Sequence, residues 1–353
     1  MKKILKALLW IAVCAALLAG LGVGYLTVAE FRPAASEDVA LSGSAARAPK
    51  VGNSLTAVTF NIGYCGLPAE MDFFMDGGKG VRVGSKDIVE RDLQGVTEAL
   101  KAQGCDLMLL QEVDRDSKRS YGINEVSALS EALGGQSAFA TNFLCPFVPI
   151  PLADPIGNVD SGILTVSRLQ AKNATRLSLP CPFSWPLSTC NLKRCLLVTR
   201  IPVEGSDKQL VVVNLHLEAY DDGAGKAAQI KVLADFLTSE YAKGNYVLAG
   251  GDFNQWLPGV DTSKYPVKKI GDYIPGTVDA SMLPEGWTFA SDDSTPTCRL
   301  NNMPYDPSNP NTQFYVIDGF ILSPNLKLES VKTIQLNFQV SDHNPVKLTF
   351  SLS

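Results

Sequence analysis

Ser341-Asp342-His343-Asn344-Pro345-Val346 sets an acid beside one of only two histidines in a chain of 353 residues. The other, His216, stands in Val213-Asn214-Leu215-His216-Leu217, at the polar end of an apolar run that reads as a β-strand. A chain this poor in imidazole, with both copies at strand ends, is using them for chemistry, because other strand ends carry acids and amides. Ser54-Leu55-Thr56-Ala57-Val58-Thr59-Phe60-Asn61 is a buried-strand pattern that finishes on an amide, and Asp106-Leu107-Met108-Leu109-Leu110-Gln111-Glu112 finishes on a carboxylate. Asp160 opens the run 161–167, the run 246–250 leads into Gly251-Asp252-Phe253-Asn254, and Asp318 stands inside 314–321. A last strand is expected over Val346–Leu352.

Working outward, the stretches between these runs have helical spacing. Val89, Leu93, Val96 and Leu100 recur on one helical face closed by Gly104, Val126, Leu129 and Leu133 do so within 121–135, and Ile230, Leu233, Phe236, Leu237 and Tyr241 precede Gly244. Runs 195–201 and 210–215 read as neighbouring strands of a hairpin. Strands interleaved with helices predict an α/β fold: two mixed β-sheets packed face to face with helices outside, a four-layer αββα sandwich. Polar strand ends would then meet at one rim between the sheets.

Composition sets the class. Hydrophobic residues make up 46% and charged ones 19%, which is globular. Net charge is −5, and without Lys2, Lys3 and Lys6 the rest carries 28 basic against 36 acidic residues. An acidic body argues against sequence-independent grip on a nucleic-acid backbone, unless bound cations reverse the local sign. Residues 7–28 are almost wholly apolar, enough to span a ~30 Å hydrocarbon layer. They read as an uncleaved N-terminal transmembrane helix, with a removed signal sequence as the alternative. The preceding lysines place the N-terminus in the cytoplasm and the body outside, so the expected location is a single-pass cell-membrane protein. The expected organisation is an anchor over 1–28, a flexible linker over 29–53 and a catalytic domain over 54–353.

Three stretches have two readings each. Residues 143–156, with four prolines, exclude a helix and disfavour a central strand; they form either a loop folded on the core or a lipid- or substrate-facing lip. Asp76-Gly77-Gly78-Lys79-Gly80 is a turn or a phosphate cradle. Lys193 and Arg194 are a solvated pair or phosphate-pocket cations. Seven cysteines lie beyond the anchor, and an outside location permits bridges, foremost among Cys181, Cys190 and Cys195. Their spacing fits no zinc template.

Asn61, Glu112, Asp160, His216, Asp252, Asn254, Asp318, Asp342 and His343 are the candidate site. Two like charges 4 Å apart repel by about 4 kcal/mol at an effective dielectric near 20. A divalent cation relieves that crowding, and oxygen donors suit Mg²⁺, Mn²⁺ or Ca²⁺. As a set, Phe60-Asn61, Gln111-Glu112, Asn214-Leu215-His216, Gly251-Asp252-Phe253-Asn254, Ile317-Asp318 and Ser341-Asp342-His343 resemble, in order, the motifs of the endonuclease/exonuclease/phosphatase superfamily. That group includes deoxyribonucleases, neutral sphingomyelinases and inositol polyphosphate 5-phosphatases.

The resemblance implies a metal-dependent hydrolase of phosphoester bonds. It implies Glu112 as principal metal ligand, with Asn61 beside it and Asp342 near metal and phosphate. Asp252 and Asn254 would orient the attacking water and the phosphate. His343, held by Asp318, would be general base or transition-state donor. His216 would contact the phosphate, with Asp160 as its expected partner. The expected substrate is a lipid head group or small phosphoester, with DNA as the runner-up and an inactive surface-binding protein as the remote third; no protein partner is inferred.

Overall fold

The structure, a computed structural model, describes residues 1–221, 223–268 and 273–353. In chain order the strands are β1 (Ser36–Val39), β2 (Leu41–Gly43), β3 (Ser54–Asn61), β4 (Leu107–Asp114), β5 (Gln136–Val148), β6 (Gly157–Ser167), β7 (Asn173–Ser178), β8 (Cys195–Pro202), β9 (Gln209–His216) and β10 (Tyr246–Asp252). They continue as β11 (Gln255–Trp256), β12 (Gly276–Thr277), β13 (Thr288–Ala290), β14 (Cys298–Arg299), β15 (Phe314–Tyr315), β16 (Asp318–Leu322), β17 (Leu326–Thr333) and β18 (Val346–Leu352). The α-helices are α1 (Lys2–Val28), α2 (Lys86–Gln103), α3 (Glu125–Leu133) and α4 (Ala224–Ala242).

Fourteen strands form two mixed seven-stranded sheets, ordered β1-β7-β8-β9-β10-β16-β13 and β17-β18-β3-β4-β6-β5-β2. Strand alternation sorts their side chains. Leu55, Ala57, Leu107 and Leu109 face inward from one sheet and meet Leu210, Val212, Leu248 and Phe320 from the other. On the outer faces, Val89, Val96 and Leu100 of α2 and Leu129 of α3 cover Val58, Phe60, Met108 and Leu110. Leu233 and Leu237 of α4 cover Val211, Val213 and Val247 of the other sheet. The αββα expectation holds. Gly104 ends α2 as expected, in a left-handed turn with φ 61°.

A polar contact crosses the apolar space between the sheets. Gln111 of β4 donates through Nε2 to Asn214 Oδ1 of β9 at 2.8 Å, and Asn214 Nδ2 donates to the Leu110 and Leu164 carbonyls at 3.1 and 3.0 Å. Both side chains are fully buried.

Several expectations change. Residues 36–43, expected inside a flexible linker, add β1 beside β7 and β2 beside β5, one edge strand to each sheet. Main-chain pairing needs no apolar side chains, so composition gave no sign of it. β5 runs to Val148 despite Pro146, because the β5–β6 ladder skips from Cys145 to Val148 and the proline sits in that irregularity. The run 314–321 is not one strand: Phe314 and Tyr315 pair with β14, and Asp318 begins β16 in the large sheet. All eight cysteines are free. α1 is, among the described residues, the one helix long and apolar enough to cross a membrane, with mean hydropathy 2.3; its end meets the body where Leu26 packs with Phe143, Cys145, Val148 and Ile156.

Asn214→Leu removes partners from three buried groups at once and is expected to cost about 2–4 kcal/mol, read from urea unfolding. Glu240 gives a pH signature. Burial alone would raise its pKa, but Arg200, Lys243 and Asn245 donate to the carboxylate and hold it down to about 2, from an ordinary 4.5. A depressed carboxylate stabilises above its unfolded pKa and loses that contribution as pH falls through the folded one. Glu240→Gln is therefore expected to cost about 1–3 kcal/mol near neutrality, with the difference fading as pH falls below about 4.5 toward 2.

Candidate active site

Strand register assembles the site. In the central ladders Asp252 of β10 stands opposite His216 of β9 on one side and Asp318 of β16 on the other. In the second sheet Asn61 ends β3 opposite Gln111. The β4–β6 pairing slips between Leu110 and Val113, and in that bulge Glu112 takes a left-handed φ of 53°. The bulge lets Gln111 point between the sheets while Glu112 lines the cavity at the rim. His343, just before β18, is bridged through its backbone to Cys298. Gly251 is required next to Asp252: its φ is 154°, and a Cβ there would lie 1.9 Å from the Leu215 carbonyl oxygen.

The side chains converge on a cavity of about 260 Å³. His343 Nδ1 lies 2.9 Å from Asp318 Oδ2, while its Nε2 faces Asp252 Oδ2 at 3.8 Å. His216 Nε2 is 3.5 Å from the same Asp252 oxygen. Asn61 Nδ2 donates to Glu112 Oε1 at 3.0 Å and to Asp252 Oδ2 at 3.1 Å, so this amide couples the two sheets' carboxylates. Asn254 donates its backbone N–H to Asp252 Oδ1 at 2.8 Å, and its side-chain oxygen accepts from the Tyr273 hydroxyl at 2.9 Å.

Burial and crowding perturb these groups. Burial and the Asp318 carboxylate push Asp252 up to about 7, against the opposing pull of His343. Burial and Glu112 likewise push Asp342 up to about 7. His343 is held well above the ordinary imidazole value: burial disfavours its cation, but Cys298 and Asp318 overcome that. The Cys298 thiol, itself pushed up to about 12 by burial, is neutral near pH 7, so the Asp318 carboxylate is the partner that matters. His216 is driven the other way, by burial and the positive charge of Arg194, His343 and Arg119, and stays neutral.

Eight of the nine expected residues meet here; Asp160 does not. It lies within β6, and strand alternation turns it from the cavity that its neighbour Ser161 lines. Arg115 binds its carboxylate through Nε at 2.9 Å and Nη2 at 3.2 Å, and His216 Nδ1 has no partner among the described residues. Lys193 is drawn to Glu30 at 2.8 Å, whereas Arg194 lines the cavity and pairs with Glu218 at 3.2 Å. The glycine loop is a turn, its Lys79 and Gly80 amides capped by Asp72.

Cavity residues outside the expected set include Asp76, at the head of the glycine stretch and bound by the Tyr220 hydroxyl at 2.7 Å, and Arg119, which clasps Asp114 and stacks 3.7 Å over the Tyr64 ring. A strand-end rule finds neither, because Asp76 ends one 3₁₀ turn and Arg119 sits in another.

The donors present fit a hard divalent cation. Glu112 and Asp342 face one cavity, and among the described residues Asp318 Oδ1 is buried without a partner.

A carboxylate- and imidazole-lined cavity at the shared rim of an αββα sandwich defines a metal-dependent hydrolase. Residues 58–343 match the Endonuclease/Exonuclease/phosphatase family, and the chain belongs to it. It is thus a divalent-metal-dependent hydrolase of phosphoester bonds. The fold is similar to that of an endonuclease/exonuclease/phosphatase from Beutenbergia cavernae, with TM-score 0.59 and 17% identity over 85% of this chain and 72% of that one. It is also similar to the human Nocturnin catalytic domain with bound sulfate (0.52, 17%, 89% and 97%) and to D. rerio TDP2 complexed with a single-strand DNA product (0.51, 15%, 85% and 99%). No curated protein matches this sequence at a significant level.

Asp318→Asn removes the charge that sustains the His343 cation. The His343 imidazole is expected to titrate at least about one pH unit lower in the variant, followed by NMR of the labelled ring.

Proposed function

We propose that this chain is a membrane-tethered, Mg²⁺-dependent phosphoesterase, with its catalytic body outside the membrane and a lipid head group or small phosphoester as substrate. The observation that carries this reading is the row His216–Asp252–Asp318, with His343 hydrogen-bonded to Asp318 and Glu112 in the same cavity.

The mechanism divides among the side chains. Asp252, with its carboxyl near 7, takes the proton of the attacking water, and the Asn254 N–H fixes its second oxygen. As the new P–O bond forms, the bond to the leaving alcohol breaks and that oxygen leaves with the electron pair. His343, kept protonated by Asp318, donates from Nε2 to a phosphoryl oxygen in the transition state. His216 stays neutral and supplies a hydrogen bond without adding charge. Asn61 holds Glu112 and Asp252 in register. Glu112 and Asp342, with Asn61 beside them, would hold a Mg²⁺, which when bound would neutralise charge on the phosphoryl group.

Asp252→Ala and His343→Ala are each expected to lower kcat by about 10³-fold or more. Their melting temperatures should stay within a few degrees of the parent. EDTA should abolish turnover, and Mg²⁺ restore it. Substantial turnover in either variant removes that residue from the mechanism. Assays on sphingomyelin, a lysophospholipid, inositol phosphates and plasmid DNA rank the substrates; cleavage of DNA alone would replace the lipid reading with the nuclease one.

A further inference from the structure

α1 ends against the wall of the active-site cavity. Leu26 is buried among Phe143, Cys145, Val148 and Ile156, and of these Phe143 and Ile156 also line the cavity. Two more contacts fix the junction: Trp185 Nε1 donates to Thr27 Oγ1 at 3.0 Å, and Lys193 Nζ meets Glu30 at 2.8 Å. The last turn of the apolar helix thus packs on the outside of a wall whose inside faces the reacting groups.

Around that junction lie exposed side chains the catalytic reading does not use. The end of β5 and the turn that follows it carry Leu144, Phe147, Ile150 and Leu152, exposed by 40%, 44%, 48% and 89%. The neighbouring segment carries Trp185 and Leu187, each 63% exposed. This segment packs on the same end of β5, where Cys145 faces the Thr189 carbonyl. Large apolar side chains clustered this way and left to water are unfavourable; in acyl chains they are not. Trp185 is anchored to the final turn of α1, and tryptophans are enriched at the ends of spanning helices where they meet the interface.

We propose that these six residues form a rim that enters the membrane spanned by α1, so that the cavity opens onto the bilayer surface and takes its substrate from it. The substrate class is therefore a phosphoester-bearing membrane lipid. Its head group enters between Phe143 and Ile156 on one side and Tyr220 on the other, all of which line the cavity, while its acyl chains stay in the leaflet beside Ile150 and Leu152. The proposal rests on the phosphoesterase reading and on α1 spanning a bilayer.

The test uses the full chain in nanodiscs of phosphatidylcholine, phosphatidylglycerol and sphingomyelin. Two probes are followed in parallel: hydrolysis of the lipid phosphoester by ³¹P NMR, which sees the phosphate on the released head group or left on the lipid, and hydrolysis of water-soluble bis(p-nitrophenyl) phosphate. The double variant Ile150→Ser, Leu152→Ser is expected to lose lipid hydrolysis about tenfold or more with the soluble probe unchanged. Brominated lipids should quench the parent more than Trp185→Phe, since Trp185 sits within their reach. Equal loss of both activities, no loss of either, or a parent that cleaves only the soluble probe overturns the proposal, as does identical quenching of parent and Trp185→Phe. A parent inactive on both probes refutes the substrate reading of the proposed function instead, and the quenching then decides by itself whether the rim is in the membrane.

Discussion

The hydrogen bond between Gln111 and Asn214 fixes how one sheet lies over the other. Apolar side chains hold the two layers together but resist sliding weakly, because one aliphatic contact resembles the next. Paired amides in a dry interior have a single good geometry, and any slip leaves their donors and acceptors unmet. The bond also stands next to the chemistry. Glu112 follows Gln111 directly, and His216 is two residues beyond Asn214, so the alignment of the sheets becomes the spacing of the carboxylates and imidazoles at the rim.

At that rim the chain accepts unfavourable local terms. Asp252 and Asp342 are buried with their carboxyls raised, while Tyr64, Glu112 and Asn254 adopt left-handed backbone at φ 43°, 53° and 52°. For residues other than glycine such conformations cost on the order of 1 kcal/mol or more. The surrounding ladders, buried on every side, hold these residues where their own preferences would not put them.

What could be read from the sequence follows from periodicity. Strands such as β9 and β10 are apolar runs with polar ends, and those ends mark the site without knowledge of the fold. The polar ends at Asn61, Glu112 and Asp252 were legible for that reason. Asp160 misled because it too stands near a strand end; which face it occupies depends on the strand's true start at Gly157, hidden behind Pro155 and Ile156. Arg119 was illegible because its place depends on how its segment folds back over the rim, and Asp76 was noticed only as part of a glycine-rich turn, not as an acid of the site. β1 and β2 were illegible because their pairing is written in main-chain hydrogen bonds, to which Ser, Glu and Gly contribute as well as valine does.

Those two entry strands also bear on the order in which the chain can fold. Ser36 pairs with Leu177 and Leu41 with Ala138, so the segment emerges roughly 100 to 140 residues before its partners exist. Through that interval it is an unpaired strand in a growing polypeptide, the condition under which sticky segments aggregate. Its composition answers the hazard. Ser-Glu-Asp-Val and Leu-Ser-Gly are polar, charged and poor in the apolar residues that nucleate association. The features that disguised this stretch as a linker are those that let it wait until β5 and β7 have been made.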